Sequence, residues 1–529
     1  MAAENFDTHL WRSTLRPEMV DEGYETPKRE SKTLPAGWRL TDKHAPFLVD
    51  TLWERNVEVK MRDGCKIYVD IFRPRDAAAG SVPAIITWSP YGKSACHTGG
   101  FNPLDLIPGR VGVPQHRLSG FEKFEAPDPA EWTAKGYAIV NPDPRGTHFG
   151  DVEANDGYDT IEYIASLQWC NGNVGLAGNS WLGIAQWFIA ATQPPHLKCI
   201  APLEGAGDLY RDILCRGGIP QTAFWNFLSG LLRVDRQDRL RVHATQEWHD
   251  LYQESTNSEL NKFFDFYLKG AKNGWHKTPK VRVSLLRYNK EPLVDQSYPD
   301  WPIPSTVAGT LYLQADNSLA KTPPPTPETL SYMSDVPFQQ ADDDSEELYF
   351  TYTFPSPCAL VGTARAVLYM ACEAADDMDV FVQIRKADVS GNILRHINIP
   401  AVNRKSCNMP EPVDLINPLV YLGPTGCLRA SHRALDKKLS SQWWPEHNYS
   451  AKQPLRPGEV IKLDIGLWQT GIYFEPGEKL VLKVSGHNMT LAEFPDLRGA
   501  MPSFNKGKHS LHVGGSFQSR LVIPMIPNA

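Results

Sequence analysis

Between Val57 and Pro74 apolar and polar residues alternate on either side of Arg62-Asp63-Gly64, which predicts a β-hairpin closed by a tight turn. Further along, the period changes. Short continuous apolar runs at Pro83–Trp88, Gly136–Asn141, Val174–Ala177 and Ile200–Leu203 have the character of strands buried on both faces. Ala130–Lys135, Gly157–Gln168 and Ile184–Ala191 instead space their apolar residues at helical intervals. Strands and helices in alternation predict a parallel-rich sheet with helices on both faces, the α/β class. After about residue 280 the helical period all but disappears. Lys280–Leu286, Thr310–Leu313, Ala366–Met370, Val380–Ile384, Val460–Ile465 and Lys479–Val484 read as short strands between Gly, Pro and Asp turns. An all-β sandwich is the natural outcome.

These patterns divide the chain into a polar, proline-punctuated arm (1–40), an α/β domain (41–280) and a β domain (281–529). At 529 residues the chain is too long for a single core. Segment 94–128, rich in Gly and Pro and without period, is expected to fold over a site as a lid. A net charge of -7 gives no reason to expect nucleic acid or an anionic membrane as partner. No run of 18 apolar residues suggests a transmembrane helix, and the N-terminus lacks a basic-then-apolar leader pattern. The nine cysteines form no C-x-x-C pair, which fits free thiols in a reducing compartment and makes the cytoplasm the default location.

The candidate chemistry centres on Val174–Gly183, VGLAGNSWLG. An apolar strand runs into Gly178-Asn179-Ser180-Trp181-Leu182-Gly183, and a helical pattern follows. Strand, sharp turn and helix is the layout of a nucleophile elbow, although the spacing is G-x-S-x-x-G rather than G-x-S-x-G. An ordinary serine in a strand–helix turn is the plain alternative. An elbow serine stands at a helix N-terminus, where backbone N–H groups face developing negative charge.

With SPYGK (89–93), KGYAIVNPDPRG (135–146), DGYDTIEYIASLQWCNGNVGLAGNSWLG (156–183) and PPHLKCIAPLEG (194–205), the sequence resembles the cocaine esterase / X-Pro dipeptidyl-peptidase family, the CocE/NonD-type hydrolases. GCLRASHRALD (426–436) and HVGGSFQSRLVIP (512–524) extend the likeness almost to the C-terminus. The resemblance implies an α/β-hydrolase domain followed by a jelly-roll β-sandwich, and cleavage of esters or amides by a serine nucleophile without metal or other cofactor. It places the nucleophile on Ser180 and the oxyanion donors on the Trp181 N–H and the Tyr91 hydroxyl. The base falls on His243 or His249, and the choice stays open. The family's acid follows a further core strand, for which the short stretch after Ser180 leaves no room. Asp208, Asp235, Asp238 and Asp250 are the nearest carboxylates, and none follows a strand. The expectation is therefore that no carboxylate from a strand end reaches the histidine.

The leading expectation is hydrolysis of an ester, amide or lactone of a small apolar molecule, such as a secondary metabolite, or of an X-Pro dipeptide bond. A catalytically impaired or non-hydrolytic family member is the alternative. The expected partner is a small-molecule substrate; homo-oligomerisation is left open. Asp376-Asp377-Met378-Asp379 reads as a solvated acidic turn rather than a calcium loop.

Overall fold

A computed structural model of the chain describes residues 28–93, 108–145, 151–206, 211, 215–219, 240–341, 344–409, 419–491 and 503–527. The predicted hairpin is present as β2 (Thr51–Lys60) and β3 (Lys66–Pro74), paired in register from Lys60 opposite Lys66. Before them, β1 (Glu30–Leu34) pairs antiparallel with β2. The described end of the expected surface arm is thus part of the sheet. Leu34 is fully buried in a cluster with Phe47, Phe72 and Phe121, contacts that only the folded chain supplies.

The four apolar runs become β4 (Val82–Ile86), β5 (Ala138–Asp143), β6 (Cys170–Asn179) and β7 (Leu197–Leu203). The seven strands form one sheet in the order β1-β2-β3-β5-β4-β6-β7. Pairing is parallel among β5, β4, β6 and β7 and antiparallel from β1 through β3 to β5. Alternation along the strands feeds two separate cores. Ala84 and Ile86 face the Asp151–Ala165 and Trp181–Ala191 helices, with Ile161, Ile164, Ile184 and Ile189. Ile85 and Ile139 face the opposite way, to Trp132, Phe264 and Leu268. Those last two belong to the Glu254–Lys269 helix.

The described part of segment 94–128 packs into the domain, with Phe124 against Tyr91. Residues 118–130 are all buried, in irregular backbone leading into the Pro129–Ala134 helix. Its charged residues bond inward, which a polar loop pattern does not reveal. Asp128 accepts the N–H groups of Ser119 at 2.6 Å and Ala130 at 2.8 Å, the latter as a helix cap. Lys123 donates to the carbonyls of Thr87 (3.1 Å) and Pro142 (2.8 Å), at the ends of β4 and β5. Residues 94–107 lie outside the described residues.

β8 (Leu240–Val242) runs parallel to β9 (Val281–Leu285), which pairs with β10 (Leu293–Tyr298). Leu286 then exchanges main-chain hydrogen bonds with Gly471 and Tyr473, joining this small sheet to the C-terminal half. Among its described residues that half has two large antiparallel sheets and a two-stranded one that pairs His396–Ile397 with Val420–Tyr421. Leu313, Leu368 and Ile465 of one large sheet share a core with Phe350, Val382 and Leu482 of the other. The acidic stretch at 376–379 is the solvated turn expected of it only in part, for Asp376 is exposed and Asp377 half-buried. Asp379 opens a strand, buried, and its carboxylate takes two hydrogen bonds of 2.8 Å from Arg429. No cluster of His, Cys, Asp or Glu suited to a metal ion occurs among the described residues. No helix among them is long and apolar enough to cross a membrane.

Candidate active site

Ser180 stands between β6 and the Trp181–Ala191 helix with φ 55° and ψ -118°, a conformation rarely adopted by residues other than glycine. Two glycines make this turn feasible. A Cβ at Gly178 (φ 139°) would lie 2.4 Å from Leu182 Cδ2, and one at Gly183 would lie 2.5 Å from the Leu203 carbonyl oxygen. The longer G-x-S-x-x-G spacing therefore serves close packing on both sides of the serine. The Ser180 N–H donates to the Leu203 carbonyl at 3.0 Å, and the Ser180 carbonyl accepts from Ile184 as the helix begins. The Trp181 N–H lies in the first helical turn, where backbone donors have no intrahelical acceptor.

Tyr91, on the loop after β4, packs edge-on against Phe124 with ring centroids 5.2 Å apart. Its hydroxyl is close enough to the Ser180 hydroxyl and the Glu125 carboxyl for both to act on its charge state. Burial keeps the phenol protonated far above its ordinary range, with the Glu125 charge adding to the effect. The two residues expected to meet at the oxyanion, Ser180 and Tyr91, are thus brought together.

The two histidines part company. His249 is buried and its Nδ1 donates to the Val111 carbonyl at 2.9 Å; burial lowers its pKa. His243, just after β8, has its Nε2 hydrogen-bonded to Glu204. Its Nδ1 lies 3.9 Å from Asp250, which is itself bound by Arg241 at 2.8 Å. Burial opposes the charged imidazole, but the Glu204 hydrogen bond and charge, together with Asp250, raise its pKa above the usual 6.5.

Glu204 corrects the expectation that no strand-end carboxylate reaches the histidine. It is the residue directly after β7, the same strand whose last carbonyl binds the Ser180 N–H. The strand was visible in the sequence as Ile200–Leu203. Its terminal glutamate was missed because the acid was sought only in the shortened stretch beyond it. Asp208, Asp235 and Asp238 lie outside the described residues. Among the described residues no hydrogen bond joins Ser180 to a histidine.

Two more carboxyls, Glu125 buried and Glu153 half-buried, flank the elbow and were not anticipated. Glu153 accepts from the Trp88 indole at 2.9 Å and lies against the Trp181 indole; burial pushes it up to about 7. Glu125 accepts from the Trp248 indole at 2.9 Å, and burial pushes it up to about 8. Neither has a spacing that a sequence pattern registers.

A strained serine at a strand–helix turn, on a half-parallel sheet with helices on both faces and followed by a β-rich half, is the arrangement of an α/β-hydrolase domain. Residues 63–280 match the model of the X-Pro dipeptidyl-peptidase (S15) family, and residues 273–522 that of the X-Pro dipeptidyl-peptidase C-terminal non-catalytic domain. The chain belongs to the CocE/NonD and X-Pro dipeptidyl-peptidase family. It is 33% identical over 163 residues to a cocaine esterase from Rhodococcus sp. (strain MB1 Bresler), covering 30% of this chain and 24% of that enzyme. A Xaa-Pro dipeptidyl-peptidase from Lactobacillus helveticus is 28% identical over 195 residues, 28% of this chain and 25% of that one. The matched stretch spans about a quarter of the length of these curated relatives. A solved CocE/NonD family hydrolase from Staphylococcus aureus superposes with a TM-score of 0.76 at 26% identity, covering 94% of this chain and 97% of its own.

Proposed function

We propose that this chain hydrolyses an ester, amide or lactone of a small apolar molecule, with Ser180 as nucleophile. The observation that carries the reading is the strained elbow that sets the Ser180 hydroxyl against the Tyr91 hydroxyl. Ser180 attacks the substrate carbonyl, and the oxygen gains negative charge between the Trp181 N–H and the Tyr91 hydroxyl. His243 is the base: its Nε2–H donates to Glu204, which orients the ring, and its Nδ1, without a hydrogen-bond partner, is the nitrogen left to accept the Ser180 proton. Its raised pKa places the acid limb of activity above pH 6.5, since only the neutral imidazole accepts a proton. His249, tied to a main-chain carbonyl, is a packed residue with no catalytic part. The C-terminal sandwich is read as the family's jelly roll, and the enzyme as cytoplasmic. An X-Pro dipeptide bond is the second substrate class, following the peptidases of the family.

Fluorophosphonate labelling followed by peptide mapping tests the nucleophile. Covalent label on Ser180 is expected, and a chain that stays unlabelled has no competent serine. That outcome would favour a non-hydrolytic family member, the reading supported by the missing Ser180–histidine hydrogen bond. Parallel assays on p-nitrophenyl esters and Pro-ended dipeptide anilides then separate esterase from peptidase.

A further inference from the structure

We propose that Glu125 is a positioning residue that decides where the Tyr91 hydroxyl points its proton. This rests on the reading of Tyr91 as an oxyanion donor to Ser180 chemistry. Glu125 is 2% exposed, in the irregular segment beneath the site, and its own backbone is left-handed at φ 66°. Its carbonyl accepts the Asn179 N–H at 3.0 Å, so its main chain is fixed to the residue before the nucleophile. One carboxyl oxygen accepts from the Trp248 Nε1 at 2.9 Å and the Asn179 Nδ2 at 3.4 Å, while the other is buried without a hydrogen-bond partner, near enough to the Tyr91 hydroxyl to act on it. One side chain thus joins the elbow, the oxyanion tyrosine and the Glu247–Leu251 helix that follows His243.

The three partners differ in what they can do. The indole and the amide N–H₂ only donate, whereas a tyrosine hydroxyl both donates and accepts. When Glu125 is protonated, its O–H donates to the Tyr91 oxygen and leaves the Tyr91 proton for the oxyanion. An ionised Glu125 accepts the Tyr91 proton, and the oxyanion keeps only the Trp181 N–H. The proton of one buried carboxyl then sets the number of oxyanion donors. Burial among neutral groups holds that carboxyl protonated up to about pH 8.

Other titratable groups lie around it. Glu247 acts on Tyr91 across the site, and His249 follows Trp248 with its Nδ1 bound to Val111. Glu122, Lys123 and Asp128 share the segment and bond to its backbone or to strand carbonyls. Glu153 lies against Trp181 on the far side of the elbow, and His243 with Glu204 and Asp250 follows β8. His243 titrates in the opposite sense, because activity rises as it loses its proton. Substitution at 125 therefore isolates the alkaline limb.

The test follows the pH dependence of Ser180 phosphonylation, and of kcat and KM on p-nitrophenyl acetate. It compares the wild type with Glu125→Gln, Glu125→Leu and Tyr91→Phe. The wild-type rate is expected to fall at alkaline pH towards the level of Tyr91→Phe, which loses about 100- to 1,000-fold as for other single oxyanion donors. Glu125→Gln, whose amide donates to Tyr91 at every pH, should lack that fall. Glu125→Leu should have a kcat about tenfold or more below that of the wild type at neutral pH, without the alkaline fall and with KM little changed, and Gln should restore part of it. In the Tyr91→Phe background the residue at 125 should no longer matter. A Glu125→Gln variant that keeps the alkaline limb at its wild-type midpoint overturns the proposal, as does an undiminished effect in Tyr91→Phe. Label on Ser180 with an unmoved limb removes only the role of Glu125, whereas a wild type that never labels removes the nucleophile reading and this one together.

Discussion

The C-terminal sandwich and the surroundings of the elbow bury carboxyls in different ways. In the C-terminal sandwich, buried carboxylates meet cations. Glu347 is bound by Lys483 at 2.5 Å, Glu478 by Lys386 at 2.7 Å and Asp379 by Arg429 at 2.8 Å. Glu347 consequently stays below its ordinary pKa, with burial outweighed by His487 and Lys483. Around the elbow, Glu125 and Glu153 meet indoles, an amide and a phenol, and Lys123 meets carbonyl oxygens. Without a compensating charge, burial favours the neutral form, and Glu125 and Glu153 rise to about 8 and 7 while Lys123 falls to about 7. A closed pair fixes structure, whereas a neutral carboxyl keeps a proton that can move. The difference sets the surroundings of the elbow apart as the setting that the proposed chemistry requires.

The largest effect expected is that of Ser180→Ala. It should remove about six orders of magnitude from kcat on whichever ester the wild type turns over, as for other serine nucleophiles. Residual turnover within tenfold of wild type would move the nucleophile elsewhere and dissolve the contrast between the sandwich and the elbow. Next comes Glu204→Gln. If Glu204 orients His243, kcat should fall by about four orders of magnitude, while Asp250→Asn, on the other ring nitrogen, has a much smaller effect. A silent Glu204→Gln would reduce that carboxylate to a surface partner.

In the sandwich, Arg429→Met leaves Asp379 buried without its cation and should cost about 3 kcal/mol of stability in urea unfolding, with labelling of Ser180 intact. Loss of labelling without loss of stability would contradict the division drawn above.

The smallest effect is the pH dependence contributed by Glu153. Its folded pKa of about 7 lies above the 4.5 of the unfolded chain. Between those values the folded protein holds a proton that the unfolded chain has released, so stability from this group falls as pH rises through the window. Glu153→Gln lacks that fall. Its Tm should gain on the wild type by about 2–4 °C between pH 5 and pH 8, and parallel melts at both pH values would expose a constant difference instead.

Much of this was legible in the chain because it is local. The hairpin at Arg62-Asp63-Gly64, the apolar runs of β4 to β7 and the small residues around Ser180 all follow from side chains acting on their own backbone. Tyr91 and Ser180 emerged from likeness to a family, each with its motif around it. The chain was silent where a residue's role depends on a distant neighbour. Leu34 reads as part of a polar arm until Phe47, Phe72 and Phe121 surround it. Asp379 reads as solvated until Arg429 binds it.

The site divides in the same way. By itself the sequence determined the α/β alternation, the β-rich second half and the elbow, because spacing along a strand or helix fixes those, while the residues apt to attack and to hold an oxyanion came with the family likeness. Only the tertiary structure decided that His243 meets a glutamate at the end of β7 while His249 binds the Val111 carbonyl. It alone turned a polar, proline-rich loop into a buried support carrying Glu125 to Tyr91. The physical reason is that a buried ionisable group takes its charge state from the atoms that replace water around it, and those come from strands and helices far away in the chain.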